Sequence, residues 1–255
     1  RRQAGERVPL RPMFADLLRA VGAVDGIERI RFTSPHPKDL RPETIQAMAE
    51  VPAVCEHLHL PLQSGSSRVL AAMHRGYTAE RYLERLQAAR AAVDDLAVST
   101  DIIVGFPGET EDDFEQTLQV AAAAEFDSAF TFVYSPRPGT EAAEMVEEFC
   151  DPDEVRDRFE RLRTVVERSS RRANQARVGG CEEVVVEGPS KKDPGLLTGR
   201  TRQNRLVHFP SAQALKPGTF ATVEVAAAGA NHLRGESAEI TARPRWRTRI
   251  PVAAL

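Results

Sequence analysis

Through the first 150 residues, short apolar runs alternate with longer segments of helical period, the pattern of repeated strand-helix units on a parallel sheet. Strands are predicted at Ile27 to Phe32, Glu56 to Pro61, Ala97 to Val104 and Ser128 to Tyr134. Helices are predicted over Pro42 to Ala49, Thr78 to Val93 and Glu111 to Ala124. The last of these has a well-specified start. Thr110 offers a hydroxyl cap, and Glu111, Asp112 and Asp113 follow where a helix N-terminus carries partial positive charge. One long charged helix is predicted from Asp151 to Arg177, with Pro152 in its first turn and Gly179-Gly180 beyond its end. Short β-type runs follow at Glu183 to Glu187, Leu196 to Thr198, Arg205 to Phe209, Phe220 to Ala226 and Ala238 to Thr241. Five such strands in about 60 residues indicate a small β-barrel. The pattern thus divides the chain into an α/β part (1–150), a connecting helix (151–177), a barrel (178–242) and a basic tail (243–255).

Composition changes this picture little. A hydrophobic fraction of 42% and a charged fraction of 28% are ordinary for a soluble chain, and no apolar run approaches the roughly 18 to 20 residues of a membrane span. A cytoplasmic protein without a membrane partner is expected. Cys55, Cys150 and Cys181 are far apart in sequence and are read as free thiols rather than a disulfide or metal set. Because residue 1 is Arg and no signal-like core follows, the chain is expected to begin inside a longer polypeptide. Charge is more informative. Residues 1–176 carry 22 Lys or Arg against 30 Asp or Glu, whereas residues 177–255 carry 12 against 7, so the C-terminal end is the part suited to a polyanion.

Three strand tips carry candidate chemistry. Gly105-Phe106-Pro107-Gly108-Glu109-Thr110 follows an apolar strand and opens an acid-capped helix; it reads either as a tight turn or as a loop whose glycines let a ligand approach the backbone. It is not a phosphate loop, because no Gly-Lys-Ser or Gly-Lys-Thr follows. Leu60-Pro61-Leu62-Gln63-Ser64-Gly65-Ser66 places an amide and two hydroxyls at the next tip, suited to a ribose or an amino-acid headgroup, or to capping the helix that follows. Arg31-Phe32-Thr33-Ser34-Pro35-His36-Pro37 forms a third tip stiffened by two prolines. His57 and His59 share one strand face, but with no third ligand a structural role is favoured and no metal site is assigned. In the barrel, Gly199-Arg200-Thr201-Arg202-Gln203-Asn204-Arg205 reads either as a solvated hairpin or as a phosphate grip, the latter supported by tail arginines around Trp246.

These segments, in this order, resemble the bacterial tRNA methylthiotransferases of the MiaB type, from about Arg7 to Thr241. The runs Arg31 to Pro37, Leu60 to Ser66, Thr100 to Thr110 and Tyr134 to Thr140 are each similar to family signatures, and Val178 to Thr241 resembles the TRAM barrel that ends those enzymes. The resemblance implies an incomplete radical-SAM (β/α) half-barrel followed by a small all-β TRAM barrel. It implies S-adenosylmethionine lining Ser34, Gln63, Ser64, Asp101, Gly105, Phe106, Pro107, Gly108 and Glu109, and RNA gripped by Arg200, Arg202, Asn204 and Arg205. The implied reaction converts isopentenylated adenosine beside the anticodon to its 2-methylthio derivative. Two 4Fe-4S clusters are implied for the full-length parent, one on a Cys-x-x-x-Cys-x-x-Cys loop that this chain lacks, so the chain alone is expected to be inactive. Implied partners are the tRNA anticodon stem-loop and proteins that donate electrons and sulfur, and not DNA. The alternatives are a non-catalytic RNA-binding protein and a methylthiotransferase acting on threonylcarbamoyl-adenosine.

Overall fold

Three parallel strands, β1 (His57–His59), β2 (Ala97–Val104) and β3 (Ser128–Val133), lie side by side in that order in a computed structural model that describes residues 14–33 and 35–244. Parallel neighbours need long crossovers, and helices supply them. The helices of this part are α1 (Phe14–Gly22), α2 (Pro42–Glu50), α3 (Ser67–Ala72), α4 (Ala79–Ala92), α5 (Glu111–Ala124) and the short α6 (Glu141–Glu144). Alternation along β2 sends Val98, Ile102 and Val104 into a core with Leu58, Tyr82, Leu86, Phe114 and Phe126, all buried. The other face holds His57, His59, Ser99 and Asp101, linked by hydrogen bonds, beside Phe130 and Phe132, which are 58% and 50% exposed.

The expected strand at Ile27 to Phe32 does not form. It is reduced to one bridge between Ile30 and Val54, and the side chains of Arg29 and Arg31 on either side reach the β-rich end of the chain. Neither α1 nor α3 is among the elements predicted from periodicity. Six residues, as in α3, are too few to display a 3.6-residue repeat, whereas Phe14, Leu17, Leu18 and Val21 carry a helical spacing that could have revealed α1.

The long helix α7 (Pro152–Gln175) is capped by Asp151, whose side chain accepts from the amides of Asp153 and Glu154. Its 24 residues span about 36 Å. Its first turns pack at the C-terminal ends of the strands, where Val155 meets Gly105 and Arg158 meets Glu109. Its last turns lie near the strands' N-terminal ends, where Arg172 pairs with Glu125. Beyond it, β4 (Cys181–Pro189), β5 (Leu197–Thr201), β6 (Leu206–Phe209), β7 (Phe220–Ala228) and β8 (Leu233–Ala242) close a barrel in the order β4-β5-β6-β8-β7. Its interior is Val184, Val186, Val207, Phe209, Val223 and Leu233.

The barrel sits on the N-terminal rim of the sheet. Each strand begins just after an acid, and each acid meets the barrel side. Glu56, before β1, takes two bonds from Arg202, at 2.7 and 2.8 Å, while Arg202 also donates to the carbonyls of Pro52 and Val54. Asp127, before β3, pairs with Arg205, which also donates to Asn174 of α7 at 2.6 Å. Asp95, shortly before β2, receives Arg177 and, at 2.8 Å, the amide of Gln203. Burial opposes ionisation of Glu56, yet the Arg202 bonds outweigh it and hold the carboxyl below its usual range. We expect Arg202→Ala and Glu56→Ala to be non-additive in a urea-unfolding double-mutant cycle, with a coupling of about 1 to 2 kcal/mol. A coupling near zero would show that this contact does not hold the barrel.

Candidate functional site at the strand tips

At the C-terminal rim, the turns after β1 and β2 are tied to each other. Gln63 lies in the left-handed region with φ of 67°, and its N–H and carbonyl continue the ladder to Asp101 and Ile103 at 2.8 Å each. A non-glycine residue in that region is uncommon and concentrates at functional turns. Gly65 passes so close to α5 that a Cβ would lie 2.4 Å from the Cα of Thr117. Ser64, expected at the cofactor, is fully buried: its hydroxyl lies 3.3 Å from that of Thr117 and accepts from the amide of Ser66. Ser66 caps α3 and donates to Asp113 at 2.6 Å. Thus the hydroxyls of this tip brace the turn.

Asp113 is the knot between the tips, and sequence inspection recognised it only as a helix-start carboxylate. It completes a capping box with Thr110 and also receives Arg68, which donates in addition to the carbonyl of Gly108. Burial opposes its charge, but the bonds from Arg68, Ser66 and Thr110 prevail and hold it far below the ordinary carboxylate range. Arg68, which follows the tip in α3, carried no separate sequence signal.

The second tip is built on Glu109. Gly105 adopts φ of 77° and donates its N–H to Oε2 of Glu109 at 2.7 Å, so the carboxylate closes its own loop. Arg158 of α7 approaches the same oxygen at 3.4 Å and donates to the backbone carbonyl of Glu109 at 3.2 Å. Oε1 is buried and has no partner among the described residues, and burial pushes this carboxyl upward. Tyr134 stands edge-on to Phe106 and Phe149, with a buried hydroxyl that also lacks a partner among the described residues. A cavity of about 400 Å³ opens here, lined by Gly105, Tyr134, Pro136, Phe149, Cys150 and Val155. That volume and its aromatic walls fit a small-molecule site.

Asp101 lies on the open face below this rim, one-quarter exposed, and takes a bond from His59 at 3.2 Å. Ser99 lies between His59 at 2.9 Å and His57 at 3.1 Å, so the two histidines belong to a structural chain of hydrogen bonds. Burial, then the nearby Arg31 and His59, brings His57 down to about 4. His36 accepts from the amide of Lys38 and packs on Tyr77. Ser34 and tail residues 245–255 lie outside the described residues. The three cysteines stand apart, Cys55 buried before β1, Cys150 before α7 and Cys181 at the start of β4, and no metal-binding group of three His, Cys, Asp or Glu occurs among the described residues. The described donors therefore do not fit an iron-sulfur cluster, whose irons require several neighbouring thiolates.

The arginine run expected to grip RNA divides between the sheet and the barrel surface. Arg202 and Arg205 are turned into the interface with the sheet, Arg200 is held by Glu187 at 3.2 Å, and Asn204 gives its carbonyl to Arg200. Guanidinium forks already holding carboxylates would have to break those bonds to receive phosphate.

Two outcomes test this geometry. Gly105→Ala would put a methyl 2.6 Å from Cγ2 of Val155 in a conformation hostile to side chains. It is expected to lower stability by about 1 to 3 kcal/mol, of which Val155→Ala restores only part because the backbone strain persists. Full restoration in urea titrations would assign the whole effect to the clash. For His57, the folded value lies below the ordinary 6.5, so as pH falls from about 6.5 to about 4 the unfolded chain takes up the proton first and stability declines. The decline is on the order of 3 kcal/mol, and His57→Gln should flatten that acid limb in unfolding curves between pH 7.5 and 4.5.

Comparison with known proteins places these features. Residues 2–121 match the radical SAM superfamily, and residues 175–237 match the TRAM domain. The tRNA-2-methylthio-N(6)-dimethylallyladenosine synthase 1 of Mycobacterium marinum is 51% identical over 229 residues, covering 88% of this chain and 43% of that protein. The synthase of the same name without the number from Acidothermus cellulolyticus is 54% identical over 218 residues, covering 84% of this chain and 44% of that protein. The chain thus spans under half the length of these curated relatives. The chain carries a radical SAM segment that runs into a TRAM domain, and over most of its length it is a homologue of proteins named tRNA-2-methylthio-N(6)-dimethylallyladenosine synthase.

Proposed function

We propose that, in a polypeptide of its relatives' length, this chain forms part of the S-adenosylmethionine cleft and the RNA-binding end of a tRNA methylthiotransferase. Its substrate would be isopentenylated adenosine beside the anticodon. The observation that carries this reading is the rim where Gln63 pairs with Asp101, Arg68 and Asp113 join the two tips, and the loop Gly105 to Glu109, closed on itself, borders an aromatic-walled cavity. Relatives at about 50% identity bearing the synthase name support the reaction.

Within that site, the chain's own groups bind and orient. Asp101 offers a partly exposed carboxylate, held by His59, to a cationic or hydroxyl-bearing part of the cofactor. The turn from Gly105 to Gly108 brings backbone close to the ligand, Glu109 locks that turn, and Tyr134, backed by the buried Phe106, offers ring surface. S-adenosylmethionine bound there supplies the radical and the methyl group that the reaction requires. Ligands for the iron-sulfur clusters would come from beyond this chain, as would the docking of electron- and sulfur-donating proteins. Residues 1–150, 151–177 and 178–242 then serve as radical-domain segment, spacer helix and TRAM barrel.

The test uses the full-length protein containing these residues, reconstituted anaerobically and given S-adenosylmethionine and tRNA bearing isopentenyladenosine. Nucleoside mass spectrometry should show the 2-methylthio product, and tRNA bearing only threonylcarbamoyl-adenosine should stay unchanged. Asp101→Asn should raise the KM for S-adenosylmethionine by about tenfold, the scale of one lost charge-assisted hydrogen bond. Failure to form product with loaded clusters would leave a non-catalytic RNA-binding protein as the better reading.

A further inference from the structure

With Arg202 and Arg205 committed to the sheet, the barrel's free positive charge lies elsewhere. A groove of about 690 Å³ runs across its outer surface, lined by Lys191, Lys192, Arg200, His208, His232 and Arg234. Lys191, Lys192 and Arg234 have no ion pair among the described residues, and all three are exposed. The two acids at the groove are already engaged. Glu187 pairs with Arg200, and Asp193 accepts from the amide of Gly195 at 2.9 Å.

The groove also contains a histidine pair. His208 on β6 and His232 before β8 stand edge to face with ring centres 5.4 Å apart, and Nδ1 of His208 lies 3.3 Å from the hydroxyl of Thr198 on β5. His208 is opposite Arg234 in the β6–β8 register. Facing His208 are the unpaired cations Lys191 and Lys192 from the β4–β5 loop and Arg234 from β8, which outnumber the one carboxylate without an ion pair, Asp193. Burial, then His232 and Lys192, pushes His208 below its ordinary value. An incoming phosphate would remove that repulsion, so a proton should arrive with it.

We infer that this groove is where the barrel holds the RNA backbone, and that phosphate binding there takes up a proton at His208. The inference rests on the RNA-binding reading above and locates it on a groove that Arg200 shares but that Arg202 and Arg205, turned to the sheet, do not line. Affinity then rises as pH falls, by up to about tenfold per pH unit for the proton taken up.

The experiment is fluorescence anisotropy with a labelled tRNA anticodon stem-loop and the 255-residue chain at constant ionic strength, between pH 8 and pH 6. The wild-type chain should bind more tightly at pH 6 by about tenfold or more. Joint replacement Lys191→Ala, Lys192→Ala and Arg234→Ala should weaken binding at least tenfold and reduce its salt dependence, with circular dichroism verifying the fold. His208→Gln should abolish the pH dependence while keeping the affinity seen at pH 8. If the triple variant binds as the wild type does, the groove is overturned while RNA binding stands. If the histidine variant keeps the pH dependence, the proton linkage is overturned. If the wild type fails to bind at any pH, the RNA-binding reading falls and takes the groove with it.

Discussion

Parallel pairing of β1, β2 and β3 gathers all three strand starts on one rim of the sheet and all three strand ends on the other. The start rim presents Glu56, Asp95 and Asp127, a row of carboxylates whose mutual repulsion is relieved by cations from outside the sheet. Arg177, Arg202 and Arg205 provide them, so the barrel is seated at that rim. The end rim is left for turns, and it is there that Gly105, Gly108 and Gln63 adopt left-handed conformations. Helix α7 connects the two rims and fixes their separation.

Buried charge is used sparingly and always in company. Arg158, 5% exposed in its side chain, reaches Glu109, Glu111 and Glu154 and lies over the ring of Phe114. Removing a single member of such a group leaves an uncompensated charge, which is why these pairs specify geometry more than they add stability. In the tip after β2 the consequence is local: Glu109 is both the loop's own hydrogen-bond acceptor and the anchor for α7. A ligand at this rim would meet a surface already rigid before binding, which reduces the entropy lost on association.

The Gly199 to Arg205 run shows how one sequence feature can serve two purposes that look alike in one dimension. Three arginines within six positions suit phosphate, and they suit a row of carboxylates equally well. The nearest acids in sequence gave no warning, since Glu56 and Asp127 are far away along the chain. Packing decided the partner. The cations left facing outward, Lys191, Lys192 and Arg234, are isolated or merely adjacent in sequence and acquire meaning only when β5, β6 and β8 bring them around one groove.

What the sequence determined by itself is whatever depends on near neighbours. Strand alternation located β2 and β3, the Thr110 cap and its carboxylates marked the start of α5, and Pro152 with the later glycines bracketed α7. The ordered tip motifs were enough to indicate the family. Tertiary structure decided everything that joins residues distant in the chain. It turned Ser64 inward onto Thr117, made Asp113 the tie between two tips, reduced Ile27 to Phe32 to a single bridge and drew Arg202 and Arg205 into the domain contact. Periodicity and capping are local energies that a stretch of ten residues expresses in full, whereas the partner of a charge is set by which distant groups the completed fold brings within reach.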